Sequence, residues 1–411
     1  MIEIKERLIK NASWLFFAEV VSRIFAYGVI VLLSRGFGPE ELGQYSFIFY
    51  YVGLLGIFSD LGVEFYIMRE VARDEKKLNE LFPDALGFKV ILAIINFLII
   101  VVITIFLPKP LYIKILIIIA GAEAMLTWIS NLFVVIMYAF EVTKYDAIAR
   151  IIERFWAFFV GGFVIYFFRS FSGFILALLV GYSLRDLLRI KWGKNFIQKL
   201  KIQFNLKRWK NILKHSYPFW FIGIFTLIYY RIDMVMLSLL KGDYETGIYR
   251  AAYTLIEVSL FVPSIVVSTV IPSMARLWRK NKKVLNILFK RSFQILVIIG
   301  VIGTLGYYIF ANLGIFFVFG EEFESSVSVL RILAFALPFM FINSLLGGYM
   351  NATGRELAFT KITGLTALLN MILNYFLIIY YGAEGAAGAT VICQVGVSLL
   401  SSLFLFSDYK N

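Results

Sequence analysis

The chain has 411 residues, of which 60% are hydrophobic, 18% aromatic and only 16% charged, and its formal net charge is +13. This high apolar fraction excludes an ordinary soluble domain and places the chain in a lipid bilayer. The basic residues cluster between the apolar segments, as in the loops of membrane proteins, so we expect no nucleic-acid partner.

Residues 1–14 are charged and lead into an apolar stretch without a convincing cleavage site, so we expect the first span to be retained. A single cysteine, Cys393, excludes an internal disulfide and a cysteine metal cluster. A single histidine, His215, excludes histidine-dependent metal or triad chemistry. Because phosphate-binding loop motifs are also absent from the sequence, we expect neither a metal nor a cofactor. Energy then has to come from an ion gradient, the membrane potential or the flow of substrate.

Twelve apolar segments are long enough to span a bilayer, which takes about 20 helical residues. This pattern predicts an all-α integral membrane protein with twelve transmembrane helices. A basic segment separates the first six from the last six, so we predict an N-terminal six-helix lobe (1–192), a basic cytoplasmic linker (193–215) and a C-terminal six-helix lobe (216–411). The predicted spans are 13–34, 43–68, 84–107, 113–138, 147–168, 171–190, 217–240, 247–275, 292–319, 326–350, 357–381 and 385–406.

A turn motif, Gly-x-x-Glu-x-Gly-x-Tyr, occurs once near the start of each half, and the two copies lie 204 residues apart. Each copy follows a Leu-Ser pair at the end of an apolar run. We therefore predict a duplicated protein whose halves both begin with a helix, this turn and a second helix. The motif residues are Gly38, Glu41, Gly43 and Tyr45 in the first copy and Gly242, Glu245, Gly247 and Tyr249 in the second.

The distribution of basic residues predicts the orientation of the chain. The N-terminus, the connections after even-numbered spans and the C-terminal tail carry 29 of the 40 basic residues, whereas the other connections carry 6, including Arg250. Both termini should therefore be cytoplasmic, and two halves with six spans each should be related by an axis along the membrane normal. The linker mixes basic and apolar residues, so we expect it to lie on an anionic membrane surface.

Charged residues also occur inside the apolar spans, where each costs about 2.5–3.5 kcal/mol at the bilayer centre unless it faces a polar cavity or a partner. Glu19 and Arg23 are four residues apart, so they form an ion pair, or Arg23 is a ligand-binding residue. Arg150, Glu153 and Arg154 lie near a cytoplasmic helix end and are expected to snorkel. The charges within or near the spans are Arg23, Lys89, Arg154, Arg231, Arg331, Glu19, Asp60, Glu64, Glu123, Glu153, Asp233 and Glu257.

Asp60 and Glu64 repel each other at four-residue spacing, so either one carboxyl stays protonated or both share a cation. The alternative is a helix that breaks at Gly62 and lets both acids reach water. Asp233 lies on a different helix face from Arg231, so its partner should come from another helix. Lys89 and Arg331 could each snorkel or face a cavity, and Arg231 lies deep enough that we favour a cavity-lining position.

Three prolines interrupt predicted spans, Pro263 and Pro272 in the eighth and Pro338 in the tenth. Proline removes a backbone donor and kinks a helix, so these positions are either hinges or static bends.

The repeated turns, together with GIFSDLGVEFYIMREVARD (56–74), MNATGRE (350–356) and GAEGAAGAT (382–390), resemble the Wzx-type polysaccharide-biosynthesis flippases. This family belongs to a superfamily that also contains multidrug extrusion transporters and lipid II flippases. The resemblance covers essentially the whole chain. It implies two six-helix bundles in a V around a central cavity, and alternating access that moves a polyprenyl-diphosphate-linked oligosaccharide to the outer leaflet.

The resemblance further implies a multi-pass protein of the plasma or inner membrane that is not an enzyme, contacts membrane lipids and can work as a monomer. An ion-coupled antiporter of drugs or organic cations is the first alternative, and a membrane glycosyltransferase or polymerase is the second. The expected substrate-binding residues are Arg23, Lys89, Arg231 and Arg331, and the expected residues for coupling to Na⁺ or H⁺ are Asp60, Glu64, Asp233 and Glu257.

Overall fold

The computed structural model describes the backbone of residues 2–197 and 201–410. It describes the side chains of residues 18–197, 201–217, 220, 224 and 231–407. Within these ranges the secondary structure is helical and contains no β-strand, so the predicted all-α class is confirmed. A helix pairs most of its backbone N–H and C=O groups within its own segment, which is what hydrocarbon surroundings require.

The helices follow one another with short connections, several of which contain 3₁₀ turns, and a π-helical turn (Val164–Phe168) extends the sixth helix. In chain order they are α1 (Ile2–Phe37), α2 (Pro39–Leu55), α3 (Val63–Arg73), α4 (Leu78–Ile105), α5 (Leu111–Ala139), α6 (Lys144–Phe163), α7 (Phe171–Gly193), α8 (Leu206–Leu240), α9 (Asp243–Ser259), α10 (Phe261–Lys280), α11 (Lys282–Val318), α12 (Ser326–Ala334), α13 (Leu337–Ala352) and α14 (Glu356–Lys410).

Within the described residues, eight helical segments are individually long and apolar enough to cross a membrane, and two bent pairs raise that number to ten. The α2/α3 pair bends by 62° and the α12/α13 pair by 46°. The second bend lies just before Pro338, and a break between α9 and α10 precedes Pro263, as the proline pattern predicted. Pro272 does not interrupt its helix, because α10 continues through it from Phe261 to Lys280. The predicted span 217–240 falls within α8, mostly on side chains outside the described set, so the count of twelve stays a prediction.

The contacts divide the chain into two compact units. The first unit contains residues Met1–Phe37 and Ile48–Ile224, and the second contains Gly38–Phe47 and Phe225–Asn411. The first copy of the repeated turn therefore packs within the second unit, together with the second copy. The lobe boundaries predicted from the linker stay a prediction.

The two copies of the repeated turn contact each other through equivalent positions. A Cβ atom at Gly43 would overlap the carbonyl oxygen of Asp243, and one at Gly247 would overlap the carbonyl oxygen of Pro39. Asp243 and Pro39 each directly follow the first glycine of their copy, so the contact is symmetrical, as an internal duplication predicts. The second glycine of each motif is needed because two helix backbones meet there without intervening side chains.

Replacing Gly247 with alanine should destabilise the protein by about 1–3 kcal/mol, because the new methyl group has to push two backbones apart. Gly388→Ala is the matched control, since a Cβ atom at Gly388 meets nothing within 4 Å. Alanine there should leave stability unchanged or raise it by up to about 1 kcal/mol through its helix propensity. Thermal unfolding of the purified variants in detergent compares them, and equal midpoints would contradict the close contact.

The GAEGAAGAT run contains the kink that divides α14 into two helices. Gly382 has φ 57° and ψ −132°, outside the helical region, and a Cβ atom at Gly385 would overlap the carbonyl oxygen of Leu377. Glu245 of the repeated turn accepts a hydrogen bond from the backbone N–H of Ala383 at 2.8 Å. The carboxylate therefore satisfies an N–H group at the start of the second part of α14, and the small residues allow that part to approach the first.

The end of the linker packs against the start of α4. The backbone N–H of Gln203 donates to the carbonyl of Pro83 at 3.0 Å, the Trp209 indole donates to the carbonyl of Asp84 at 3.0 Å, and Arg208 forms an ion pair with Asp84 at 2.7 Å. The linker therefore also packs on protein, and its predicted position on an anionic membrane surface stays a prediction. Exposed apolar side chains remain on the linker, and they are Ile202, Phe204, Leu206 and Leu213.

Candidate functional site

One lysine and two carboxylates form an ion-pair triad inside the first compact unit. The Lys89 amine lies 3.0 Å from an oxygen of Asp60 and 2.7 Å from an oxygen of Glu64. Lys89 is fully buried, whereas Asp60 and Glu64 are 31% and 23% exposed. Of the alternatives that the sequence left open for these two acids, the structure shows a shared positive charge. It comes from Lys89, which was predicted to bind substrate.

A helix break positions this triad. The chain leaves α2 at Leu55 and begins α3 at Val63, and Gly62 between them has φ +79°. The Asp60 carboxylate accepts hydrogen bonds from the backbone N–H groups of Gly62 at 3.1 Å and Glu64 at 3.0 Å, so it caps the start of α3. The predicted break at Gly62 is also confirmed.

The triad has more negative than positive charge. Two ionised carboxylates around one ammonium carry a net charge of −1, which is unfavourable in surroundings of low dielectric constant. Uptake of one proton or one small cation would neutralise the group. The arrangement is therefore chemically suited to sense a proton or an ion.

Asp233 has a different environment in the second unit. Its side chain is buried, and the Tyr249 hydroxyl donates to it at 2.7 Å. The same hydroxyl lies 3.1 Å from the hydroxyl of Thr390 on α14. The predicted partner from another helix is confirmed, although it is the tyrosine of the repeated turn and carries no positive charge. A hydrogen bond from a phenol offsets less of the cost of burying a carboxylate charge than an ion pair does.

Glu257 forms an ion pair with Arg250 at 3.0 Å within α9. Arg250 was counted above with the basic residues of the connections after odd-numbered spans, and the structure shows it within α9 with a buried side chain. The two residues are seven positions apart, so they lie on one helix face two turns from each other.

The other three residues predicted to bind substrate lie outside the triad. Arg23 pairs with Glu19 at 2.7 Å, which confirms the ion-pair interpretation. Arg331 donates from Nε to the carbonyl of Tyr308 at 3.3 Å, and its guanidinium carbon lies 5.6 Å from that ring's centroid. Arg231 is half-buried in α8, two residues before Asp233. Arg23 belongs to the first unit and the other two to the second, and their roles toward substrate stay predictions.

Sequence reasoning missed a buried charge network between α5, α6 and α7 in the first unit. Arg185 contacts Glu153 and Asp186, each at 2.9 Å, and Arg189 contacts Asp146 at 2.7 Å. Thr127 and Ser130 donate to Asp186 as well.

The network corrects the prediction that Arg150, Glu153 and Arg154 snorkel. Glu153 is 1% exposed and paired with Arg185, Arg150 lies 3.2 Å from Asp146, and Arg154 lies 3.4 Å from Glu153. Part of the signal was present in the sequence, because each of the two helices has a pair of like charges at helical spacing. Arg185 and Arg189 are spaced by four, and Asp146 and Glu153 are spaced by seven.

Comparisons with known proteins give relatives over the whole chain. Residues 8–278 match the family described as polysaccharide biosynthesis protein, and residues 218–376 match the family described as MatE. The chain is 24% identical to the capsular polysaccharide biosynthesis protein CapF of Staphylococcus aureus, over 97% of this chain and 99% of CapF. It is 22% identical to the probable low-salt glycan biosynthesis flippase Agl15 of Haloferax volcanii, over 53% of this chain and 46% of Agl15.

Among solved structures, the fold is similar to that of the lipid II flippase MurJ in an inward closed conformation. The TM-score is 0.79 at 18% sequence identity, and the match covers 95% of this chain and 87% of MurJ. At this identity the likeness shows the fold alone.

Proposed function

The chain belongs to the polysaccharide biosynthesis protein family, and on that premise we propose that it is a flippase for a polyprenyl-diphosphate-linked oligosaccharide. It moves the sugar and diphosphate from the cytoplasmic to the outer leaflet by alternating access and catalyses no chemical reaction. The main support for this proposal is the family match over residues 8–278, in a chain whose fold is similar to that of a lipid II flippase. Sugar hydroxyls and a diphosphate cannot cross hydrocarbon unaided, because their desolvation is too costly.

The architecture that we propose has twelve transmembrane helices in two six-helix bundles arranged in a V. Support comes from the ten spans counted as single helices or bent pairs, from the division of α14 at Gly382, and from the length of α8. The basic residues of the even-numbered connections favour cytoplasmic termini in a plasma or inner membrane. A single chain is expected to be the working unit.

We assign diphosphate contacts to Arg23, Arg231 and Arg331, since a guanidinium offers forked donors to phosphate oxygens. Lys89 takes part only in a state in which it leaves its two carboxylates, because both hold its amine here. The Asp60–Glu64–Lys89 triad and Asp233 are the proposed positions at which Na⁺ or H⁺ couples to transport. Glu257, held by Arg250, is the fourth coupling candidate.

A second candidate function is an ion-coupled antiporter of organic cations, which the MatE match over residues 218–376 favours. The two candidates require opposite charge along the path of the substrate. An organic cation needs carboxylates, whereas a diphosphate needs guanidinium and ammonium groups.

Reconstitution into proteoliposomes with a lipid-diphosphate-linked oligosaccharide tests the proposal. A membrane-impermeant probe then reports how much sugar reaches the opposite leaflet, compared with protein-free liposomes. Protein-dependent appearance of the sugar supports the flippase. If several such lipids stay in place while an ion gradient drives efflux of an organic cation, the antiporter replaces it.

Asp60→Asn should uncouple flipping from the Na⁺ or H⁺ gradient. Asparagine can still cap α3, and Lys89 and Glu64 are left as a neutral pair with no charge for an ion to neutralise. The measurement is the flipping rate with and without an imposed gradient, which should differ in the parent protein and agree in the variant. Asp74→Asn is the matched control, because this exposed aspartate caps a surface turn. If flipping by the variant still depends on the gradient, Asp60 has a structural role and does not couple an ion to transport.

A further inference from the structure

A cavity of about 350 Å³ lies in the second unit, where four helix ends meet. Its lining comes from the end of α10, the start of α11, the end of α13 and the end of α14. One wall is apolar and aromatic, with Phe289 and Tyr349 in ring contact at 4.6 Å between centroids. The volume is at the lower end of the range for small-molecule sites, so it suits one part of a larger ligand.

Two cations of this lining share one aromatic ring. The Lys282 amine lies 4.9 Å from the centroid of the Trp278 ring, and the guanidinium carbon of Arg355 lies 4.6 Å from it. Cation–π contacts hold both side chains in place without removing their formal charges. The result is a positively charged mouth above an aromatic wall.

The surrounding sequence strengthens the positive field at this mouth. Residues 258–320 contain no acidic residue, and the stretch from 276 to 291 contains seven basic residues. Glu356 and Asp408 are the acids nearest in sequence to the lining residues. Beyond the basic stretch, α11 is mostly apolar, with Ile295, Ile298 and Ile302 exposed. Positive charge and lipid-facing surface therefore meet at the cavity.

We infer that this cavity binds an anionic phospholipid of the surrounding bilayer, with its phosphate between Lys282 and Arg355 and the first part of an acyl chain against Phe289 and Tyr349. A soluble phosphate would leave the aromatic wall unused, and a zwitterionic lipid would bring its own positive charge to a positive mouth. Each basic residue near a membrane surface contributes attraction to anionic lipid, and two that point into one cavity add selectivity for a single molecule. This inference does not depend on the identity of the transported substrate. Its test therefore decides it independently of the flippase proposal.

The test is native mass spectrometry of the purified full chain titrated with phosphatidylglycerol or with phosphatidylcholine. We expect one phosphatidylglycerol to be retained at concentrations at which phosphatidylcholine is not. The double variant Lys282→Ala, Arg355→Ala should weaken that binding about 10- to 30-fold. The matched control, Lys280→Ala with Lys283→Ala, removes the same charge from neighbouring positions that do not line the cavity.

Three results would overturn the inference. Equal loss in the control variant would mean diffuse attraction to the basic stretch, and equal retention of both lipids would mean an apolar groove without headgroup selectivity. Displacement of the bound lipid by equimolar polyprenyl diphosphate would assign the cavity to the transported substrate instead. Lys282→Glu serves as a second variant if the double variant fails to fold, because this exposed side chain is not needed for packing. It should abolish the retained phosphatidylglycerol.

Discussion

Replacing Lys89 with methionine should lower the free energy of unfolding by about 3–5 kcal/mol, the cost of removing one partner from a buried ion pair. The lysine is fully buried and contacts Asp60 at 3.0 Å and Glu64 at 2.7 Å, so the variant leaves two carboxylates facing each other without their cation. Methionine fills most of the space of the lysine stem, which isolates the loss of charge from a loss of packing. The measurement is the thermal unfolding midpoint of the purified variant in detergent at neutral pH.

Two further variants show whether electrostatics causes the loss. Lys89→Met combined with Asp60→Asn and Glu64→Gln removes both carboxylate charges and should recover most of the lost stability. Lys76→Met is the matched control, because Lys76 is exposed in a surface turn, and its midpoint should stay near that of the parent protein. If Lys89→Met and Lys76→Met have the same midpoint, the triad is not the stabilising group described here.

The helices could be predicted from hydropathy, because a helix that crosses a bilayer needs an apolar segment of a minimum length. The predicted span 113–138 corresponds to α5, which runs from Leu111 to Ala139. The predicted and observed bounds differ where a helix extends beyond its apolar segment. The predicted span 292–319 begins ten residues after the start of α11 at Lys282, because charged residues end a hydropathy signal but do not end a helix.

The candidate site was only partly predictable, because a charge can be seen in the sequence while its partner on another helix cannot. Asp60 and Glu64 were recognised as a repelling pair that needs a proton, a cation or contact with water, yet Lys89 lies 25 residues beyond Glu64 and was assigned to substrate. The Arg185–Glu153 ion pair was missed for the same reason, since its members belong to α7 and α6. Local spacing predicts partners within one helix, such as Glu19 and Arg23, and helix packing decides the others.

The break at Gly62 shows how local and long-range information combine. The Gly in FSDLGVE predicted a break, and the structure adds that a Cβ atom at Gly62 would overlap the carbonyl oxygen of Ser216. The positive φ angle explains the glycine locally, and the close approach of α8 adds a second requirement that the sequence could not show. Both requirements hold Asp60 where it caps α3 and meets Lys89.

Arg231→Ala should reduce oligosaccharide flipping by about 10- to 150-fold, the rate equivalent of losing one charged hydrogen bond of about 1.5–3 kcal/mol to the diphosphate. The half-buried position of Arg231 in α8, beside the coupling candidate Asp233, makes it the strongest of the proposed diphosphate contacts. Arg231→Lys keeps the charge but loses the forked donors, so its rate should fall between those of the parent and the alanine variant. The measurement is the proteoliposome assay with equal amounts of folded protein.

Arg73→Ala is the matched control, because its side chain is 68% exposed and its contact to Glu70 is a surface ion pair. It removes one arginine charge without touching the proposed path, so flipping should continue at the parent rate. Unchanged thermal stability of Arg231→Ala then assigns its loss to transport rather than folding. If the Arg231→Ala and Arg73→Ala variants flip the oligosaccharide at the same rate, Arg231 does not contact the diphosphate. Arg331 and Arg23 are then the remaining candidates, and the flipping rates of their alanine variants in the same assay compare them.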